Sequence, residues 1–273
     1  VTKSDTTELW YGCRFIGTNE RTVKFGGLAT EYSDDDAPVG FHLTGGSLIK
    51  SANGRLSPIF PSDGTVNGTP TFKEMFRGCN KLESISGDLF SGYTVAKSNM
   101  FELTFQSCYA LQEIPGNLFA SFTSGADSMF KNTFYGCTGL ESIPENLFSF
   151  GGNTNVNGAE NMFHQTFSGC TGLTTLPSGL FSSLKSGGSS MFSGTFNGCT
   201  GLTSLPENLF DNITAGASTM FYRTFYGCTG LKSLPQNLFA NITTGASNMF
   251  KETFAGCGGF VANSSASESS EKY

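Results

Sequence analysis

Seven cysteines punctuate this chain at a near-constant interval. Cys79, Cys108, Cys137, Cys170, Cys199, Cys228 and Cys257 are separated by 29, 29, 33, 29, 29 and 29 residues. A fixed period in the range of roughly 20–50 residues marks a stacked repeat architecture and outranks any local motif. Residues 220–238, MFYRTFYGCTGLKSLPQNL, show the unit most clearly. Met100, Met129, Met162, Met191 and Met249 open other copies. The earliest copy is worn, with Thr71-Phe72 in place of Met-Phe and Met75-Phe76 in place of Thr-Phe.

Within one copy, Met220, Phe221, Phe225 and Cys228 fall at i, i+1, i+5 and i+8. That spacing predicts one face of a helix about two to three turns long. Ser218 is placed to cap its start, and Gly227 and Gly230 to end it. Leu231-Lys232-Ser233-Leu234 then predicts a short parallel strand beside the same segment of each neighbour. Pro235 ends that ladder and opens a second helical turn over 236–242. Asn117, Asn146, Asn208 and Asn237 stand one position before a Leu-Phe pair and are expected to bond loop backbone across the stack. A lone copy cannot bury both of its faces, so stability has to come from neighbour interfaces. The expected fold is an α/β solenoid: a right-handed array of about seven 29-residue repeats over 66–262, each with a short parallel strand and helical segments.

Residues 1–65 lack the repeat. Strand-like pieces at 9–16, 22–25, 39–43 and 47–50 alternate with Gly-Gly and Asn-Gly turns, the punctuation of hairpins. They predict a small β-rich domain or cap built on Trp10, Phe15, Ile16 and Phe25. A cap would cover the open end of the array. The run Ser33-Asp34-Asp35-Asp36 lacks the spaced ligands and distal Glu of a calcium loop and reads as a solvated turn. Pro58, Pro61 and Pro70 suggest a connector. Residues 263–273, Ser-rich and charged, are expected to be disordered. The chain opens at Val1 with no basic, apolar leader, which fits a mature form or one lacking its leader.

Charged residues make up only 14% of the chain and the net charge is −6. That balance disfavours nucleic acid and anionic lipid surfaces. No run approaches 18 apolar residues. The 27 phenylalanines outnumber one Trp and eight Tyr, but about three recur per copy, so the excess belongs to the period. The seven periodic cysteines would stack as a ladder of small buried hydrophobes with weak S–H donors. No close C-x-x-C pair suggests zinc, and Cys13 lies outside the array.

Catalytic chemistry is not evident. No nucleophile sits beside a base, and Gly151-Gly152 lacks the Lys and Ser/Thr of a phosphate loop. His42 and His164 read as surface residues. No catalytic residue, metal site or cofactor is expected. The four surplus residues between Cys137 and Cys170 fall in 149–160, where they are either slack or a binding loop, since extra residues in a solenoid map to one loop face.

Comparing the copies shows where they vary. Directly after the first Leu stand Glu83, Gln112, Glu141, Thr174, Thr203 and Lys232, predicted to line the open face as a row about 5 Å apart. This row is the first candidate for binding. Lys131, His164, Tyr222, Arg223 and Lys251 on the helical side form a rival surface.

The string Phe225-x-x-Cys228-x-x-Leu231-x-x-Leu234-Pro235 resembles the leucine-rich repeats of BspA-like bacterial surface proteins, and residues 75–79 are similar to a mycoplasma-type surface-lipoprotein repeat. The family carries one more residue before the proline, whereas here Leu234 abuts Pro235. The resemblance spans roughly residues 71–262. It implies a non-enzymatic cell-surface or secreted module binding a protein or glycan on another surface. Similar arrays in phage or prophage fibres imply a structural spacer or receptor-binding part as the alternative.

Overall fold

A computed structural model describes residues 48–61, 69–153 and 156–258. The expected strands and core residues between 9 and 43, with Cys13, His42 and the 263–273 tail, lie outside those residues.

The copies stack in one register. The N–H groups of Asn99, Phe101, Leu103, Phe105 and Ser107 donate to the carbonyls of Asp127, Met129, Lys131, Thr133 and Tyr135 at 2.8–3.1 Å. The intervening N–H groups of Met100, Glu102, Thr104, Gln106 and Cys108 close turns onto carbonyls three residues back, at 3.0–3.2 Å. Both patterns recur copy after copy. A residue bonds 28 positions ahead in most copies and 32 ahead across the longer one, as in Phe130 to Met162 at 2.9 Å.

This arrangement overturns the helical expectation. Among the described residues there is no α-helix; the nearest approach to one is a 3-10 turn at Phe150–Gly152. An α-helix spends every interior N–H within itself, whereas here half of them reach the next copy. The chain turns every four residues instead. Asn99, Leu103 and Ser107 have φ of 58–61°, and Ser128, Asn132 and Gly136 repeat the pattern at 55–71°. Gly227 therefore supplies one of these left-handed turns. Gly230 is needed for a different reason. A Cβ there would lie 2.6 Å from the Leu202 carbonyl oxygen, which only a bare α-carbon avoids.

Four-residue turns put Met100, Thr104 and Cys108 in one inward column and Phe101 and Phe105 in another. The rings of Phe72, Phe101, Phe130, Phe163, Phe192, Phe221 and Phe250 stack at 5.4–5.7 Å between successive members. A second column runs from Phe76 to Phe254 at 5.4–5.7 Å, and a third from Phe90 to Phe239 at 5.6–6.1 Å. Offset aromatic contacts of this kind add to the burial energy of each ring.

Among the described residues, the strand expected after each cysteine forms only in the first copy. β1 (Ser51–Ala52) pairs in parallel with β2 (Ser84–Ile85), and Ser86 N–H continues the ladder to the Ala52 carbonyl at 2.8 Å. Later copies carry Pro115, Pro144, Pro177, Pro206 or Pro235 where the first has Ser86. Proline has no N–H to give, so the ladder shrinks to single bonds such as Glu141 N–H to Gln112 O, 3.0 Å. The strand expected at 47–50 begins instead at Ser51. Residues 48–61 lie on the first copy, ahead of the expected start of the array: Leu56 N–H bonds the Leu89 carbonyl at 3.0 Å, and the Tyr93 hydroxyl bonds the Phe60 carbonyl at 2.7 Å.

The surplus stretch 149–160 is anchored at two points, while Gly151, Gly152, Asn153, Asn157 and Glu160 are exposed. Phe150 and Val156 are buried, the Phe150 ring lies 6.4 Å from Phe130, and β3 (Val156–Asn157) pairs in parallel with β4 (Leu184–Ser186). The ring columns pass this copy without a break.

Candidate functional site

The candidate face follows each cysteine. Buried Leu82, Leu111, Leu140, Leu173, Leu202 and Leu231 anchor it from within. The next residue of each copy, Glu83, Gln112, Glu141, Thr174, Thr203 or Lys232, is exposed. Their backbones adjoin: Glu141 N–H bonds Gln112 O at 3.0 Å, Thr203 N–H bonds Thr174 O at 3.2 Å, and Lys232 N–H bonds Thr203 O at 3.3 Å. The Thr203 hydroxyl also reaches the Thr174 carbonyl, 3.3 Å. Taken in order along the stack, these six exposed positions run from acidic through neutral to basic. Gly139, Gly172, Gly201 and Gly230 run just inside it, each against the preceding rung; in Gly172 a Cβ would sit 2.8 Å from both the Thr138 and Leu140 carbonyl oxygens.

The rival surface carries its own electrostatics. Glu102 is largely buried and bridges Lys73 at 2.9 Å and Lys131 at 3.1 Å. Burial pushes its carboxyl up, but the two ammonium groups that hydrogen-bond it outweigh that and hold it below the ordinary carboxylate value. Arg223 pairs with Glu252 at 2.6 Å and lies 5.0 Å from the ring centres of both Tyr222 and Tyr226, a cation–π clamp. His164 is half-buried rather than a surface residue, and its Nδ1 has no hydrogen-bond partner. Burial lowers its pKa, and the charge of Lys131 lowers it further. The positively charged members of this surface are thus committed partly to internal pairs, while the row is free of ion pairs among the described residues.

The cysteine ladder is free of disulfides: all seven thiols are unpaired, six buried and Cys257 half-buried. Each of the last six donates its S–H to a phenylalanine carbonyl of the preceding copy, at 3.1–3.3 Å. The threonines one turn earlier do the same, as in Thr195 Oγ1 to Phe163 O at 2.8 Å. Sequence reasoning found the ladder but missed this bond, and missed the paired role of threonine. It also misplaced the cross-stack asparagines. Asn117 and Asn146 lie exposed over Gly87 and Gly116, while Asn153, Asn212 and Asn241 bond carbonyls of the preceding copy at 2.6–2.9 Å.

Burial raises the thiol pKa of Cys79 to about 11 and those of Cys137 and Cys228 to about 12. A free thiol ionises near pH ~8.5, so above that pH the unfolded chain sheds protons that the folded chain keeps. The stabilisation is complete below the unfolded value and is lost as pH climbs toward the folded ones. The urea midpoint should therefore fall between pH 8 and pH 10.5, with a shallower fall in Cys137→Ala; equal slopes would refute the assignment.

Among the described residues no group of three or more His, Cys, Asp or Glu side chains could hold a metal, and no helix is long and apolar enough to cross a membrane. No family model matches the chain, and no curated protein matches it. Solved structures show similarity, two of them as follows. One is a leucine-rich repeat protein from Bacteroides ovatus, 18% identical, with 78% of this chain and 69% of that one covered and a TM-score of 0.21. The other is a leucine-rich cell surface protein from Faecalibacterium prausnitzii, 19% identical, with 84% and 68% covered and a TM-score of 0.26. Superpositions that loose carry no weight; the repeat fold rests on the bond register and the ring columns.

Proposed function

We propose that this chain is a non-enzymatic recognition module of a cell-surface or secreted protein, binding a protein or glycan partner through the row Glu83, Gln112, Glu141, Thr174, Thr203 and Lys232. The observation that carries the reading is the line itself: six exposed side chains of varying chemistry in one backbone register, on a frame whose inward positions barely vary. A solenoid that holds its interior constant and varies outward positions presents a surface suited to an extended partner. The BspA-like resemblance points the same way, toward an extracellular adhesin, and the turn-punctuated sequence of residues 1–65 supports a β-rich domain or cap ahead of the array. The alternative is a spacer or receptor-binding part of a fibre or surface layer, in which the row is plain solvated surface.

Charge reversal separates the two. The triple variant Glu83→Lys, Glu141→Lys, Lys232→Glu is expected to lower binding of the labelled chain to intact epithelial cells or a polysaccharide panel by about tenfold or more, or about 1.4 kcal/mol, with the thermal midpoint unchanged. Undiminished binding would move the site off the row, and absence of binding by the parent chain as well would favour the spacer.

A further inference from the structure

Among the described residues, Arg223 has a setting that no other cation shares. Its guanidinium lies 5.0 Å from the ring centres of both Tyr222 and Tyr226. Its side chain bonds Glu252 through Nε, at 2.6 Å. Arg77, by contrast, spends a terminal nitrogen, Nη1, on Glu74 at 2.9 Å. The two terminal nitrogens of Arg223 have no acceptor among the described residues. They form the planar fork that grips a carboxylate through two parallel bonds. The Arg223 side chain is 43% exposed and Tyr226 is 37% exposed, so solvent reaches both. The next copy sets Lys251 beside them, its carbonyl accepting from the Arg223 N–H at 3.1 Å. Two cations against the one carboxylate of Glu252 leave a positive charge uncompensated, in a chain of net charge −6. The preceding copy has Ser193, Gly194 and Asn197 where this one has Tyr222, Arg223 and Tyr226, so no ring or charge crowds the cluster from those positions.

We propose that Tyr222, Arg223 and Tyr226 form a binding site for a uronic acid unit of an acidic glycan. The sugar carboxylate takes the two terminal nitrogens of Arg223. The tyrosines offer apolar ring surface to the C–H face of the sugar and hydroxyls to its hydroxyl groups. Lys251 adds attraction for the negative charge. An extended acidic peptide shares the carboxylate chemistry, but the backbone here disfavours it. Every N–H of residues 222–227 is already bonded within the array, at 2.8–3.1 Å. The carbonyls of Tyr222, Thr224 and Tyr226 accept from Gly194, Phe196 and Gly198 at 2.8–2.9 Å. No main-chain edge is open for strand addition, so recognition rests on side chains, which suits a compact ring. The site uses no residue of the exposed row, so this inference and the function proposed above stand or fall separately.

Titration of the full chain with a galacturonic acid trisaccharide, followed by NMR shifts of backbone amides and arginine Nε–H groups, reads the site. Shifts should gather at residues 222–227 and at the Arg223 Nε–H. The methyl-esterified trisaccharide, uncharged and otherwise alike, should bind about tenfold or more weakly, because hydrogen bonds to charged groups are the stronger ones. Arg223→Gln should weaken binding of the acid form by a similar factor. Arg223→Lys keeps the charge without the fork and should recover little of the loss. Both variants should melt close to the parent, since exposed pairs contribute little to folding. The triple row variant described above should bind the trisaccharide as the parent does. Absence of shifts at 222–227, or equal binding of acid and ester, overturns the proposal. So does binding of a hexaglutamate peptide as tight as that of the trisaccharide, which would mark a site for acidic peptides or anions at large.

Discussion

Phe192→Ala is expected to cost about 4 kcal/mol of folding stability, a typical loss for a large aromatic removed from a closed core. The ring is fully buried. It stacks at 5.7 Å on Phe163 and at 5.4 Å on Phe221, and meets Phe181 at 4.7 Å and Phe210 at 5.0 Å. A void there severs one column and strips edge contacts from a second, and rings held by backbone bonds on both sides cannot collapse into it. Because copies support only their neighbours, the damage should not stay local. Urea unfolding followed by tyrosine fluorescence and by backbone circular dichroism should show a lower midpoint, or a transition split in two where the halves on either side melt apart. A loss below about 1.5 kcal/mol would mean the site repacks, and the rigid ring column described above would be wrong.

Gly201→Ala should be nearly as damaging through the opposite fault. The added methyl would stand 2.6 Å from the Leu173 carbonyl oxygen. Backbone atoms cannot swing aside as a side chain does, so the rungs must part. Overpacking typically costs about 1–3 kcal/mol, and the upper end applies when backbone is the obstacle. The neighbouring rung bond from Thr203 N–H to Thr174 O, 3.2 Å, should lengthen with it, seen as faster amide exchange at Thr203. Gly245→Ala, where a methyl meets nothing within 4 Å, is the control and should be nearly neutral. Equal melting of the two variants would remove the argument that close rung approach selects glycine here.

Much of the fold was legible because one rule governs it. Each copy repeats the same apolar letters, so the cysteine spacing alone sets which residues face inward, and the ladder, the leucines and the phenylalanines fall where the period places them. The local conformation was not legible in the same way. Met220, Phe221, Phe225 and Cys228 fit a helix of 3.6 residues per turn and a coil of four about equally over two turns. The deciding signal was present in residues read as a helix stop. Glycine precedes Cys79, Cys137, Cys170, Cys199, Cys228 and Cys257, each with φ of 68–77°, and Asn or Ser recurs eight positions before several of them. Proline carried a second unread message. Its missing N–H confines the ladder to Ser86 and the first copy, so the strand expected in every copy forms in one.

The candidate face was legible as an outward position and no further. Alternation about the buried leucines puts Glu83 and Lys232 outside, and the register puts them on one line. Nothing in the period could show that Glu102 is shared by two lysines, since that pairing depends on letters that differ from copy to copy. His164 was misjudged for the same reason: the identity of the residue says surface, while here it is half-buried with its Nδ1 shielded.

The unpaired sulfurs have a consequence for the life history of the chain. Stacked, the six buried ones are sealed from oxidants and poor nucleophiles, and five of those six also have their hydrogens occupied. Before stacking they are ordinary reactive groups, many to a molecule, any two of which can cross-link in the wrong order. A protein built this way suits an oxidising exterior only if it finishes assembling before oxidation catches it, so the speed of its maturation, and not only its final stability, is under constraint.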